Sequence, residues 1–183
     1  MKKTMVCAML AGVALSASAE NLLKNPAFNE MDQNAGGLAG YPASWQVFGT
    51  ANRCNWRSHG EGKWCIGVCG QWADIGMDGS IVQSGIPVVE GKTYNLVPFF
   101  WADPEWFPTK QYMRIAFFGV DAGAELAVEE ATFDGILPVW SNISLSAVAP
   151  TGAVTASVSI GVKGVSIRGG LSIDDVYFGE SPD

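Results

Sequence analysis

The stretch Ile81–Asp103, IVQSGIPVVEGKTYNLVPFFWAD, constrains the fold more than any other part of the chain. Glu90-Gly91 marks a chain reversal, because glycine enters the positive-φ region without a Cβ clash. Beyond it, Tyr94, Leu96, Pro98 and Phe100 fall on one face of an extended chain, and Asn95, Val97, Phe99 and Trp101 on the other. Both faces are largely apolar, so periodicity alone leaves helix and strand open. The aromatic and β-branched content, Pro98 and the preceding turn decide for a strand buried on both sides. Pro98 has no N–H to give a ladder, so it marks an edge or a bulge. Ile81-Val82-Gln83 reads as a further strand and Ile86–Val89 as a short extended connection.

The rest of the chain repeats this grammar. Pro42–Phe48 is a strand with Trp45 and Val47 on one face, and Arg53–Arg57 with Lys63–Val68 form a hairpin whose turn is Ser58–Gly62. Met31–Tyr41 and Gly70–Gly79 read as loops. The segment Asp103–Thr109 is a loop that exposes Trp106 and Phe107 between prolines. Tyr112–Val120 is a strand closed by the tight turn Asp121-Ala122-Gly123. Glu125–Phe133 fits a strand or a loop, while Trp140–Ala147, Ala153–Val162 and Leu171–Phe178 alternate as strands. Short strands with turn signals and no helical pattern of useful length predict an all-β fold, a jelly-roll β-sandwich of two antiparallel sheets.

Residues 1–19 read as a secretory signal peptide of bacterial type. Lys2 and Lys3 precede the apolar run Met5–Leu15, and Ala17-Ser18-Ala19 supplies the small residues of a cleavage site. The run is too short to span a bilayer. Residues 20–183 are then one domain, secreted, periplasmic or at the cell surface, without membrane insertion. The formal charge of −7 becomes −9 once Lys2 and Lys3 are removed. That balance argues against nucleic acid and anionic membranes, both of which reward basic patches. In an exported chain, Cys54, Cys65 and Cys69 predict one disulfide, Cys54 with Cys65 or with Cys69. Three cysteines and the lone His59 do not make a zinc spacing.

The succession Asn21-Leu22-Leu23-Lys24-Asn25-Pro26-Ala27-Phe28, Trp45, Val82-Gln83, Gly91-Lys92-Thr93-Tyr94, Trp140 and Ile173-Asp174-Asp175-Val176 resembles the carbohydrate-binding modules of bacterial cellulases and xylanases. The resemblance is to the group that includes families four, nine and twenty-two, with a galactose-binding-like jelly-roll fold. It implies that Trp45 and Trp140 pack in the core. It also implies a structural calcium ion held by Asn29 and Asp174. Asn29 stands where a carboxylate is usual, and its neutral carbonyl lowers the charge at that site.

Seven tryptophans are the most informative count in the composition. Sugar rings stack their C–H faces on flat aromatic rings, while their hydroxyls take hydrogen bonds from a polar rim. The expected ligand surface is Trp72, Trp101 and Trp106, with Trp56 and Tyr112 behind them and Asp103, Gln71, Arg57 and Arg114 as polar partners. The predicted function is a secreted, non-catalytic protein that binds polysaccharide or glycan. Catalysis is poorly supplied: His59 sits in a Ser-His-Gly-Glu-Gly tip, and the adjacent acids of Glu129-Glu130 and Asp174-Asp175 point to opposite faces of a strand. The alternative from a different class is a structural or adhesive cell-surface protein that uses the same sandwich and self-associates; a small polysaccharide-degrading enzyme is a weaker third. A binder of this kind also implies a catalytic partner on another chain.

Overall fold

A computed structural model of the chain describes residues 20–33, 41–60, 62–69, 77–121, 123–165 and 168–181. The proposed signal peptide lies outside them. The strands are β1 (Gln46–Gly49), β2 (Ala51–Cys54), β3 (Cys65–Cys69), β4 (Gly79–Pro87), β5 (Thr93–Ala102), β6 (Lys110–Phe118), β7 (Glu125–Thr132), β8 (Ser141–Asn142), β9 (Leu145–Val148), β10 (Thr155–Lys163) and β11 (Gly170–Glu180). One sheet runs β1-β4-β10-β6-β7; the other runs β2-β3-β11-β5-β8, with β9 also on β5. Every pairing is antiparallel. The chain crosses repeatedly from one sheet to the other, so the two inner faces close on a single core, as the all-β sandwich expectation requires.

β5 alternates as its sequence dictates, with Tyr94, Leu96, Phe100 and Ala102 buried. Its outer residues are half-buried rather than buried, which corrects the expectation of a strand buried on both sides. Pro98 falls where both flanking ladders break. β11 shifts register between Asp174 and Tyr177, and β9 and β8 pair with β5 on either side of it, at Leu96 and Phe99. A residue without an N–H costs least where no partner accepts one. The buried Tyr94 stacks on Phe178 at 5.5 Å, and its hydroxyl accepts the Val89 N–H at 2.7 Å.

The N-terminal segment is sewn along the sandwich by side chains. Gln83 points inward from β4 and bonds both the N–H and the C=O of Lys24. The Trp45 indole N–H donates to the carbonyls of Lys24 and Asn25, and Phe28 is fully buried against the Trp45 ring. Trp45 is therefore core, as expected. Of Glu125–Phe133, read as a strand or a loop, Glu125–Thr132 is a strand, at the edge of the five-stranded sheet. The segment read as one strand from Trp140 to Ala147 is instead two short ones, β8 and β9.

Candidate functional site

The predicted ligand residues divide between opposite faces of the sandwich. Trp101 lies on the outer face of the six-stranded sheet. There the β2–β3 loop folds back across the strands as a strap. The Arg57 guanidinium lies 3.4 Å from the Trp101 ring centroid and bonds Asp103 at 3.2 Å. Trp56 stands above Gly67, where a Cβ would approach its ring to 3.1 Å. Arg57, Trp101 and Asp103, drawn from separate segments, are in direct contact, and Trp56 lies on the same strap. The same strap seats His59 against Phe99, with ring centroids 3.9 Å apart and nearly parallel, and edge-on to Trp140. Its Nδ1–H donates to Asp175 at 2.7 Å. His59 is therefore an anchored residue and not a loose tip, and Trp140 is a half-buried surface residue of this cluster, not a core one.

The strap covers what it crosses. Ser172 and Asp174 share the outer face with Trp101 and Phe99 through their cross-strand register, yet both are buried. Asp174 accepts the His59 and Asp175 backbone N–H groups, one on each oxygen, at 2.8 Å. Burial raises its carboxyl to about 7, an increase that the two hydrogen bonds only partly offset.

Both expected calcium ligands are engaged by the protein's own donors. The Asp174 oxygens already hold two N–H donors, and the Asn29 side-chain oxygen accepts the Lys63 N–H. Beside them the Arg53 guanidinium donates to the carbonyls of Phe28 and Asn29 at 2.6 and 2.8 Å. A second cation at those carbonyls would face that positive charge at hydrogen-bonding range. Trp106 is a further correction: expected exposed, it is only 7% exposed, and its indole N–H donates to Gln111 at 2.8 Å. Phe107 beside it is exposed as expected. Gln71 and Trp72 lie outside the described residues.

Tyr112 and Arg114 occupy the outer face of the five-stranded sheet, which the strap does not reach. Register places two rows across this face. One is Phe48, Ser80, Gly161, Tyr112 and Thr132; the other is Gln46, Val82, Ser159, Arg114 and Glu130. The Tyr112 ring lies over Gly161, where a Cβ would come within 2.5 Å of it. A residue with no side chain thus lets the ring settle against the sheet, and the Lys110 ammonium stands 5.5 Å from the ring centroid. Between Tyr112 and Phe48, which is 50% exposed, the floor is made of Ser80 and Gly161. Three strand spacings put these two aromatics about 14 Å apart. Ser84 and Ser157 continue the hydroxyl floor, bonded to each other at 2.9 Å. Charged pairs rim it: Lys110 with Glu130 at 2.6 Å, and Arg114 with Glu125. Phe48, Gln46 and the serines were missed in the sequence, although the glycine inside the alternating β10 segment signals a close approach.

No protein-family model matches the sequence, and no curated protein matches it. The fold, however, has solved counterparts. A CBM61 module, solved with β-1,4-galactotriose, superposes with a TM-score of 0.56 at 17% identity over 89% of this chain and all of the module. The CBM22-1 xylan-binding domain of Paenibacillus barcinonensis Xyn10C does so at 0.55 and 9% identity, over 92% of this chain and 99% of the domain. The chain shares the β-sandwich fold of these carbohydrate-binding modules. That fold is not confined to them. The enzymatically active domain of bacteriophage CBA120 tailspike protein 4 matches 88% of this chain with a TM-score of 0.65 at 15% identity, and this chain spans only 21% of that one. At such identities the module fold is what is shared, and function rests on the surfaces described above.

Proposed function

We propose that this protein is a secreted, non-catalytic carbohydrate-binding protein that takes a polysaccharide or glycan chain across the outer face of its five-stranded sheet. The observation that carries this reading is the Tyr112 ring laid over Gly161 beside an open floor of serine hydroxyls. Stacking needs an approachable ring face, and the Lys110 ammonium stands 5.5 Å from the Tyr112 ring centroid, a looser approach than the 3.4 Å of Arg57 over Trp101. Trp101 has a face occupied by Arg57, so the six-stranded side makes a poorer platform. A sugar ring would set its C–H face on Tyr112, while Ser80, Ser159, Gln46 and Arg114 supply hydrogen bonds to its hydroxyls. Phe48 gives the chain a second aromatic contact further along. The length of the face suits several sugar units rather than one chain end. Glu125 and Glu130 are held by Arg114 and Lys110, which supports a binding role over an acid–base one.

The test is a glycan array and insoluble-polysaccharide pull-down with the intact protein and the Tyr112→Ala, Phe48→Ala and Trp101→Ala variants. Binding weakened at least tenfold (about 1.4 kcal/mol) in Tyr112→Ala and retained in Trp101→Ala is the expected pattern. Binding lost in Trp101→Ala but kept in Tyr112→Ala moves the site to the strap side. No binding to any glycan, with oligomers in solution, favours the structural or adhesive reading.

A further inference from the structure

Cys54 and Cys65 face each other directly where β2 pairs with β3, and their sulfurs, both thiols here, stand 3.4 Å apart. Both are buried. Cys69 lies four residues further along β3, about 13 Å by strand rise, and its register partner on β11 is Gly170. The absent side chain of Gly67 makes room for this pair, since a Cβ there would lie 2.8 Å from the Cys54 sulfur. We propose that Cys54 and Cys65 are a disulfide-forming site, and that the bond between them closes the base of the strap that carries Trp56, Arg57 and His59.

The strap has three fastenings at its top: Arg57 on Trp101 and Asp103, the His59 ring on Phe99 and Asp175, and the His59 backbone on Asp174. Each is non-covalent and joins the strap to a strand distant in sequence. The Cys54–Cys65 bond fixes the two ends from which the strap springs, so that these contacts form from a loop of set span. The chemistry runs by thiol–disulfide exchange with a small disulfide oxidant. The Cys54 sulfur attacks one oxidant sulfur and displaces the other as a thiol; the Cys65 sulfur then attacks the mixed disulfide at Cys54 and displaces the second thiol. Two protons and two electrons leave the protein, and one oxidant disulfide becomes two thiols. The roles of the two sulfurs are interchangeable, since either thiol can donate the hydrogen bond between them. With both sulfurs buried, the exchange belongs to folding, before the strap settles.

The pairing rests on geometry and is independent of the glycan reading; its occurrence in the cell requires export to an oxidising compartment. The experiment refolds the full-length protein from denaturant with oxidised and reduced glutathione, alkylates remaining thiols in denaturant without reductant, digests with trypsin and identifies cross-linked peptides by mass spectrometry. The expected product joins the peptide 54–57 to the peptide 64–92. Because the latter holds both Cys65 and Cys69, Cys69→Ser and Cys65→Ser decide between them: the link persists in the first and vanishes in the second. On the refolded protein, brief native trypsin cleavage after Arg57 is at least tenfold slower before reduction than after it. A link that survives Cys65→Ser and is lost in Cys69→Ser overturns the assignment. Alkylation of both Cys54 and Cys65 in protein that has regained native tryptophan fluorescence overturns it equally.

Discussion

Asp174 should make the folded protein lose stability as pH rises through the neutral range. Its carboxyl is fully buried under the strap and raised to about 7 in the folded state, chiefly by desolvation. In the unfolded chain it titrates near 3.8. The folded state therefore holds this proton over a window in which the unfolded state has released it. Stability falls across that window and the full cost is reached above the folded value. Some three pKa units correspond to about 4 kcal/mol in total, of which more than half falls between pH 5 and pH 8. The perturbation is Asp174→Asn, which keeps the shape and removes the titration. It gives up one acceptor toward the two N–H groups, at a pH-independent cost of about 1–3 kcal/mol. The assay is urea unfolding followed by tryptophan fluorescence at pH 5, 6, 7 and 8 for both proteins. The difference in unfolding free energy, wild type minus variant, should shrink by about 2–3 kcal/mol from pH 5 to pH 8. Taking the difference removes the contributions of neighbouring Asp175 and His59 that both proteins share. A flat difference, or one that grows with pH, would refute the reasoning.

Replacing Gly161 by alanine puts a Cβ within 2.5 Å of the Tyr112 ring and must tilt that ring off the sheet. Glycan affinity measured by calorimetry should fall several-fold while the unfolding midpoint moves little, since Gly161 points away from the core. Because Arg53 already serves the Phe28 and Asn29 carbonyls, a calcium chelator should leave the melting temperature unchanged. A drop of several degrees restored by calcium would contradict this. Trp106→Ala empties a core position and leaves Gln111 without its indole donor, so unfolding experiments should show a loss of about 3–5 kcal/mol.

Local pattern made β5 legible: its alternation, the Gly91 turn with φ of 79° and the break at Pro98 all stand as the residues require. Contacts between distant segments were not legible in the same way. Trp106 looks exposed in Pro104-Glu105-Trp106-Phe107-Pro108 because nothing local announces that Gly169 brings its backbone against that turn. A Cβ at Gly169 would lie 2.9 Å from the Trp106 nitrogen. His59 reads as a flexible tip for the same reason: the carboxylates that hold it lie 115 and 116 residues away. Among the proposed ligand residues, chemistry could be read but facing could not. Trp101 and Tyr112 are equally good stacking residues by type. Sheet membership sets them on opposite sides of the molecule, and only the fold places Arg57 over one and bare backbone beneath the other.

The acidic edge strand β7 has a consequence for solution behaviour. An exposed strand edge invites pairing with another chain, and the resulting ladder can grow without limit. In β7, Glu129 pairs in register with the inward-facing Ile115, so its carboxylate sits on the core side of the sheet, kept wet only because the edge is open. A foreign strand docking there would cut that carboxylate off from water. The desolvation penalty of the trapped charge opposes the docking. Concentrated protein is thereby protected at this edge from zipping into fibrils.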